Sequence, residues 1–186
     1  MTMPISAIIG AQFGSEGKGK VAAFLANGFQ HAVRTGGPNA GHTVQNGATK
    51  LIFRHIPCAA VNRSARLYLG AGAIIDPEVL FQELGNLPFK FDRLMIDPNA
   101  AIITEKDRKV EAKIRKKIGS TAKGVGAALI SKLRRDGSGV LALDVDELGP
   151  FLGDVSDALL NATKKTDNIL LEGTQGAGLS VHHGEY

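Results

Sequence analysis

The chain has 186 residues, 44% of them hydrophobic and 22% charged, with a net charge of +4 at pH 7. This composition excludes a disordered chain, and the length suffices for one domain with a buried core. No apolar stretch approaches the ~20 residues of a membrane helix. The lack of Trp leaves little material for stacking nucleic-acid bases, and the single cysteine fits a reducing compartment. We expect a soluble, cytoplasmic protein that binds neither membranes nor nucleic acid.

The first half of the chain alternates apolar, strand-like runs with loops rich in glycine. The strand-like runs are ISAIIG, HAVRTG, TKLIFRHIP and RLYLGAGAII. A helix is predicted over residues 18–26, where the loop GSEGKG opens onto an Ala-rich segment, and a second from Asp76-Pro77 through Leu84. The run ISAIIG contains no charge, so we predict that it forms a buried strand.

The second half continues the alternation of strands and helices. FDRLMID is typical of a strand, and residues 105–117 have so few apolar positions that we predict an exposed helix. The loop GSTAKGVGAA precedes a helix at ALISKLRR, residues 150–163 are amphipathic, and NILLEG is typical of a buried strand. The pattern predicts an α/β fold, with a mostly parallel central sheet flanked by helices. Without an internal repeat or linker, residues 1–186 are expected to form a single nucleotide-binding, catalytic domain.

The segment GSEGKGK, residues 14–20, follows the first strand and opens the first helix. It matches the phosphate-loop pattern G-x-x-x-x-G-K, although Val21 stands where that pattern needs Ser or Thr. Backbone N–H groups at the helix N-terminus, with Lys18 and Lys20, suit phosphate oxygens and indicate a P-loop-like nucleotide-binding architecture. Taken alone, the segment fits a tight strand-to-helix turn with solvated lysines equally well.

Three further loops carry side chains suited to a nucleotide. TGGPNAGHT places His42 beside Gly41, whose carbonyl could bind a cation; a hydrogen-bonded loop histidine is the other interpretation. GSTAKGVG offers hydroxyls and backbone N–H groups for a second phosphate, or is a flexible connection. LEGTQGAG presents Gln175, whose amide can recognise a purine edge, or is an ordinary strand-end turn. Ligands of parallel sheets bind outside the carboxyl ends of the strands, so we expect the loops near residues 14, 36 and 173 to converge.

In this order, GSEGKGK, GGPNAGHT, GSTAKGVG and LEGTQG resemble the adenylosuccinate synthetase family, whose versions read GDEGKGK, GxNAGHT, G(T/S)TGRGIGP and EGAQG. The resemblance runs through the whole chain but covers only the first half of a typical family member. It therefore implies the N-terminal part of a longer chain, and we expect a polypeptide that ends at Tyr186 to be inactive.

The resemblance implies a carbon–nitrogen ligase. In this family a nucleoside triphosphate phosphorylates the 6-oxygen of a purine monophosphate, and the amine of L-aspartate then displaces that phosphate. The chemistry needs a base at N1, an acid near the phosphoryl group, and Mg²⁺. Arg135 matches an arginine that the family inserts into the neighbouring subunit's site, which implies a homodimer.

The resemblance also implies roles for individual residues. His42 matches the general acid, Lys18 a phosphate-binding lysine, and Gly41 a carbonyl ligand of Mg²⁺, with Ser15 as the second expected metal contact. The expected catalytic residues are Ser15, Lys18 and His42. The expected phosphate-binding residues are Gly14, Ser15, Glu16, Gly17, Lys18, Gly19, Gly41, His42 and Thr43. The expected purine monophosphate-binding residues are Ser15, Asn39, Ser120, Thr121, Arg135 and Gln175.

Ser15 stands where ordinary family members carry an acid that acts as base and metal ligand. A hydroxyl cannot act as that base at neutral pH. G-S-x-G-K-G and P-N-A-G-H-T, including Pro38, resemble the phage-type branch, which joins aspartate to dGMP with ATP or dATP on the route to diaminopurine DNA. We predict a dGMP-dependent ligase, in the host cytoplasm if phage-encoded. The alternatives are an ordinary enzyme acting on IMP with GTP, and an inactive nucleotide-binding homologue.

Overall fold

The structure is a computed structural model that describes residues 5–88, 92–118, 121–180 and 182–184. The strands within these ranges are β1 (Ile5–Gly10), β2 (His31–Arg34), β3 (His42–Asn46), β4 (Thr49–Phe53), β5 (Arg66–Leu69), β6 (Ile74–Ile75), β7 (Leu94–Ile96), β8 (Ala101–Ile102) and β9 (Ile169–Gly176). The α-helices are α1 (Lys18–Leu25), α2 (Pro77–Asn86), α3 (Glu105–Ile118), α4 (Val125–Arg134) and α5 (Val155–Lys164).

Five parallel strands form the central sheet in the order β1-β9-β2-β5-β7. Strand β2 pairs with both β5 and β9, so that Ala32 lies opposite Leu67 on one side and Leu170 on the other. Strand β9 comes last in the chain but lies between β1 and β2. The loops that follow these three strands therefore emerge side by side at the carboxyl end of the sheet. The α/β fold with a mostly parallel central sheet is confirmed.

Helices cover both faces at the centre of this sheet. The larger core lies between α1 and one face and includes Ala22, Ala32, Leu67 and Leu170. The smaller core lies between α5 and the opposite face and includes Val33, Tyr68, Val155 and Ile169. Ala32 and Val33 belong to different cores because successive side chains of a strand point to opposite faces.

Strand β1 lies at the edge of the sheet and is more exposed than its sequence indicates. Ile9 is 79% exposed and Ile5 is 46% exposed. The prediction of a buried first strand from ISAIIG is therefore wrong for the described part of the chain. The apolar composition indicated burial because parallel strands are ordinarily covered on both faces, whereas in the described part of the chain β1 is the edge strand of the sheet and Ile9 is left uncovered.

An antiparallel hairpin of β3 and β4 interrupts the loop that the sequence indicated around His42. TGGPNAGHT was predicted as a loop, but β3 begins at His42, which lies opposite Phe53 of β4. Glycine, proline and asparagine before His42 are typical of a turn, and they conceal the start of a strand. His42 is consequently held by strand pairing rather than by a loop alone.

Among the described side chains of helix α3, two carboxylates are buried. Its sequence predicted an exposed helix, and Val110 is largely exposed, but Asp107 and Glu111, one turn apart, are buried. Asp107 accepts hydrogen bonds from the backbone N–H and the hydroxyl of Thr104, at 2.9 and 2.6 Å. None of the described helices is long and apolar enough to cross a membrane.

Candidate active site

The loops after β1, β2 and β9 meet at a cavity of about 430 Å³, which we call the loop cavity. That volume is typical of a small-molecule site. Its lining is Phe13, Gly14, Ser15, Asn39, Ala40, Gly41, His42, Thr121, Thr174, Gln175 and Leu179. The structure thus brings together, of the residues expected at the site, Gly14, Ser15, Asn39, Gly41, His42, Thr121 and Gln175.

Residues 14–20 form a strand–loop–helix turn with two glycines in left-handed conformations. The φ angle is 104° at Gly14 and 91° at Gly17, and residues with a Cβ rarely adopt such angles. No side chain caps the N-terminus of α1 at Gly17. A helix N-terminus without a capping side chain can accept an anion at its backbone N–H groups.

Lys18 and Glu16 interact with the same loop. The Lys18 side chain is buried, and its Nζ donates to the Gly14 carbonyl at 3.1 Å and to Glu16 Oε2 at 3.3 Å. Glu16 Oε1 accepts the backbone N–H of Gln12 at 2.6 Å. Hydrogen bonds from backbone N–H groups, its own first, lower the pKa of Glu16 to about 2. With so low a pKa, Glu16 is a poor base and does not replace the acid missing at Ser15.

A buried ion pair holds His42. Its Nδ1 lies 2.5 Å from Glu172 Oε1, and Nη1 of Arg34 donates to the same oxygen at 2.7 Å. The other Glu172 oxygen accepts the backbone N–H of Cys58 at 2.6 Å. Arg34 and Glu172 are also register partners on β2 and β9. The pairing of two central strands therefore fixes the position of the ion pair.

The charge of Glu172 decides which nitrogen of His42 is protonated. Burial opposes ionisation, but the hydrogen bond from His42 and the charge of Arg34 hold the pKa of Glu172 below its ordinary value. An ionised carboxylate only accepts hydrogen bonds, so Nδ1 of His42 donates. Nε2 of His42 is buried and has no hydrogen-bond partner among the described residues. It is the ring nitrogen left to interact with a ligand.

Gly19 lets α1 approach His42 closely. A Cβ at Gly19 would lie 2.5 Å from His42 Cβ and 3.0 Å from Cys58 Sγ. Burial, and then the charge of Glu172, raise the pKa of the Cys58 thiol well above its ordinary value, so this thiol serves in packing. Gly19 was expected to bind phosphate; in the structure its helical position also supports the histidine.

The side-chain amides of Asn39 and Gln175 also belong to the lining of the loop cavity. The hydroxyl of Thr174 donates to Gln175 Oε1 at 2.5 Å, which leaves the NH₂ group of Gln175 as a donor for a ligand. Asn39 Oδ1 is buried without a hydrogen-bond partner in the described chain. Buried acceptors are ordinarily satisfied. A ligand with both donors and acceptors, such as a purine, would satisfy both amides.

Two groups of residues could be considered as metal ligands, and only one of them suits a cation. His42, Cys58 and Glu172 come within 4.8 Å of one another, but Arg34 contacts both His42 and Glu172, and its charge opposes a cation there. Ser15 and Gly41 line the loop cavity, and a hydroxyl and a backbone carbonyl are oxygen ligands of the kind that Mg²⁺ prefers. No carboxylate is among the described lining residues, so these oxygens fit Mg²⁺ only together with nucleotide phosphates.

The loop before α4 offers fewer phosphate donors than its sequence indicated. The carboxylate of Glu111 accepts the backbone N–H groups of Gly124 at 2.8 Å, Gly126 at 2.5 Å and Ala127 at 3.3 Å. These donors of the helix N-terminus are therefore already used within the protein. Among the described residues of this loop, Thr121 lines the loop cavity.

The expected residues that the structure describes outside the lining of the loop cavity are Glu16, Gly17, Lys18, Gly19, Thr43 and Arg135. Thr43 lies within β3, opposite Ile52. Arg135 is exposed at the C-terminal end of α4, with a φ of 55°, and its contact with a neighbouring subunit stays a prediction. Ser120 lies outside the described residues.

The sequence interpretation missed Arg34 and Glu172, although each carries a visible signal. HAVR and ILLE are otherwise apolar, strand-like runs, and each ends in a charge of opposite sign. A charge at a buried strand position requires a partner. Two such charges on strands expected to be neighbours indicate an ion pair. Thr174 gave no comparable signal, because a threonine is common in strands.

Residues 7–148 match the family model described as Adenylosuccinate synthetase. The chain belongs to the adenylosuccinate synthetase family. It is 42% identical over 193 residues to the adenylosuccinate synthetase of Methanococcus vannielii, and 40% identical over 192 residues to that of Pyrococcus horikoshii. Each match covers 99% of this chain and 56% of the relative, so the chain spans about half the length of these curated relatives. The family is one of carbon–nitrogen ligases.

Two solved structures share the fold. Fully ligated adenylosuccinate synthetase from Plasmodium falciparum superposes with a TM-score of 0.89 at 24% identity, covering 98% of this chain and 54% of that one. Cyanophage S-2L succinoaminodeoxyadenylate synthetase, solved bound to dGMP and to dATP as an energy donor, superposes with a TM-score of 0.86 at 34% identity. That match covers 98% of this chain and 54% of the cyanophage chain.

Proposed function

We propose that this chain supplies the phosphate loop and the purine monophosphate site of a ligase that joins L-aspartate to C6 of dGMP, with ATP or dATP as phosphoryl donor. The observation that carries the proposal is Ser15, which lines the loop cavity with His42 and Gln175, where no described side chain supplies a carboxylate. The similarity to a cyanophage enzyme solved with dGMP and dATP supports guanine as the base.

The residues around the loop cavity suit the first step of this reaction. Lys18 and the N-terminus of α1 would bind phosphate oxygens, and the NH₂ group of Gln175 and Oδ1 of Asn39 would hold the purine. With Nδ1 held as a donor by Glu172, a second proton on Nε2 would make the ring of His42 an imidazolium, whose Nε2–H would act as the acid near the 6-oxygen and the phosphoryl group. Mg²⁺, held by Ser15 and Gly41 with the nucleotide, would neutralise phosphoryl charge.

Ser15 is the residue that would distinguish guanine from hypoxanthine. Guanine carries a 2-amino group beside N1, and a hydroxyl offers that group both room and an acceptor lone pair. A carboxylate at the same position is bulkier, and the 2-amino group would displace its hydration. The ordinary reaction on IMP, which lacks the 2-amino group, has no need of that space.

The second candidate function is the ordinary reaction on IMP with GTP. The relatives from Methanococcus vannielii and Pyrococcus horikoshii, at 42% and 40% identity, carry the name of that enzyme. The third candidate is a nucleotide-binding homologue without activity, which the loss of the acid at Ser15 would favour. The retained His42, Lys18 and Gln175 argue against the third.

Calorimetric titration of the chain with dGMP and with IMP separates these candidates. We expect dGMP to bind at least about tenfold more tightly than IMP, because a site that bonds a ligand amino group discriminates against the analogue without it. Tighter binding of IMP would support the ordinary reaction. Binding of ATP with neither monophosphate would support the inactive homologue. Phosphate release by the complete enzyme from ATP with aspartate and dGMP, but not with IMP, is the corresponding test of turnover.

The substitution Ser15→Asp tests the role of the hydroxyl directly. We expect it to weaken dGMP binding by about 5- to 150-fold, the effect of about 1–3 kcal/mol for an imperfectly solvated polar group, and to affect IMP less. Ser64→Asp introduces the same charge at an exposed position away from the loop cavity and should leave both affinities unchanged. Unaltered dGMP binding in Ser15→Asp would contradict the role assigned to Ser15.

A further inference from the structure

We infer that Glu172 is a positioning residue that keeps His42 protonated on Nδ1, with Arg34 as its buried counter-ion, so that Nε2 faces the nucleotide site. The inference rests on the proposed function in treating His42 as the group that exchanges a proton with the substrate. It concerns residues of β2 and β9 that touch His42 rather than the ligand.

Three donors converge on the Glu172 carboxylate. Nδ1 of His42 and Nη1 of Arg34 share Oε1 at 2.5 and 2.7 Å, and the backbone N–H of Cys58 occupies Oε2 at 2.6 Å. The arginine and the backbone amide can only donate. Only the imidazole can change from donor to acceptor. In the neutral ring, moving the proton from Nδ1 to Nε2 turns Nδ1 into an acceptor. The carboxylate therefore selects the state of the ring.

The opposite tautomer already has a partner in place. Nη1 of Arg34 lies 2.9 Å from Nδ1 of His42. While Nδ1 carries a proton, both atoms are donors and cannot bond to each other. Without an ionised carboxylate between them, the guanidinium would donate to Nδ1 and the proton would move to Nε2. Glu172 thus decides between two hydrogen-bonded arrangements of the same side chains.

Arg34 extends this control to the neighbouring loop. Its Nη2 donates to the Ala40 carbonyl at 2.8 Å, which directly precedes Gly41 and His42 in the loop cavity. Glu172 and Arg34 are 1% and 2% exposed, so water does not compete for these bonds. The same ion pair fixes the tautomer of the histidine and the course of the loop that carries it.

The test measures the protonation of the ring nitrogens by ¹⁵N NMR on the 186-residue chain, at one pH of about 8, with His42→Gln identifying the signals of His42. We expect Nδ1 to be protonated in the unchanged chain. In Glu172→Gln, a single amide oxygen takes the place of the two carboxylate oxygens that accept hydrogen bonds from three donors. We therefore expect the proton to move from Nδ1 to Nε2. Glu172→Asp keeps the carboxylate and should retain protonated Nδ1. Glu83→Gln is the matched control, because Glu83 is also buried and accepts three backbone N–H groups, but lies outside the loop cavity.

Protonated Nδ1 in Glu172→Gln, or an unprotonated Nδ1 in the unchanged chain, would overturn the inference. If Glu172→Gln does not fold, the double variant Arg34→Met/Glu172→Met removes both charges, and loss of the Nδ1 proton in it is the expected result. In phosphate release with dGMP by the complete enzyme, we expect Glu172→Gln to lower kcat by about 10- to 100-fold with little change in KM, because a neutral ring that accepts a hydrogen bond at Nδ1 is a weaker acid at Nε2 than an imidazolium bonded to the Glu172 carboxylate. Lack of turnover by the complete enzyme would count against the proposed function, and the NMR result would still decide the role of Glu172.

Discussion

Gly19 is the residue at which a single methyl group should disturb the site most directly. In Gly19→Ala the new Cβ would lie 2.5 Å from His42 Cβ, 3.0 Å from Cys58 Sγ and 3.1 Å from His42 Cγ. Carbon contacts this short force the helix or the histidine to move, at a cost of about 1–3 kcal/mol for an overpacked core. Alanine gains about 0.5–1 kcal/mol over glycine inside a helix. We expect a net loss of roughly 1–2 kcal/mol in the free energy of unfolding.

Gly85→Ala provides the matched comparison, because Gly85 also lies in a helix, α2, and a Cβ there would meet no atom within 4 Å. We expect this variant to gain up to about 1 kcal/mol from helix propensity. Urea denaturation of the two variants and the unchanged chain measures both effects. The midpoint should fall by about 0.5–1 M in Gly19→Ala and rise in Gly85→Ala, for a slope of about 2 kcal/mol/M. An equal gain in both variants would refute the close packing of α1 against His42.

Two further substitutions test the phosphate loop and a buried histidine. Lys18→Met should weaken ATP binding about 10- to 100-fold by removing a charge-assisted contact, whereas Lys164→Met, at an exposed position of α5, should leave it unchanged; calorimetry decides between these results. Burial, and then the charge of Arg34, lower the pKa of His55 to about 4, so the unfolded chain, with an ordinary value near 6.5, binds the proton first as the pH falls. The contribution of neutral His55 to the free energy of unfolding is therefore fully present above about pH 6.5. Between about pH 6.5 and 4, the free energy of unfolding falls by up to about 3 kcal/mol because of this histidine. His55→Gln should show a flatter pH dependence of urea stability across that interval, and an unchanged slope would contradict this assignment.

The strand–loop–helix turn of residues 14–20 was predictable because its structure is local. The strand, the two left-handed glycines and the helix lie within one continuous segment, and each has a sequence pattern of its own. The convergence of the loops near residues 14, 36 and 173 was also predictable. It follows from the general rule that parallel strands place their carboxyl ends together.

The features that the sequence did not predict depend on contacts between distant segments. Arg34 and Glu172 are separated by 138 positions, and nothing local indicates that β9 inserts beside β2. The buried face of α3 was missed for a different reason. An apolar stripe is the ordinary signal of helix packing, whereas Glu111 contacts the start of α4 through a carboxylate.

Strand β9 carries residues that position two different parts of the site. Glu172 and Thr174 lie two positions apart on it, and both are buried. Glu172 orients His42, and Thr174 holds the oxygen of Gln175, so one strand orients both the group expected to exchange a proton and the amide expected to bind the purine. Because β9 also pairs with β1 and β2, which carry the two other loops of the cavity, a shift of its register would displace all of these groups together. The sheet order, rather than any single loop, therefore sets the geometry of the site.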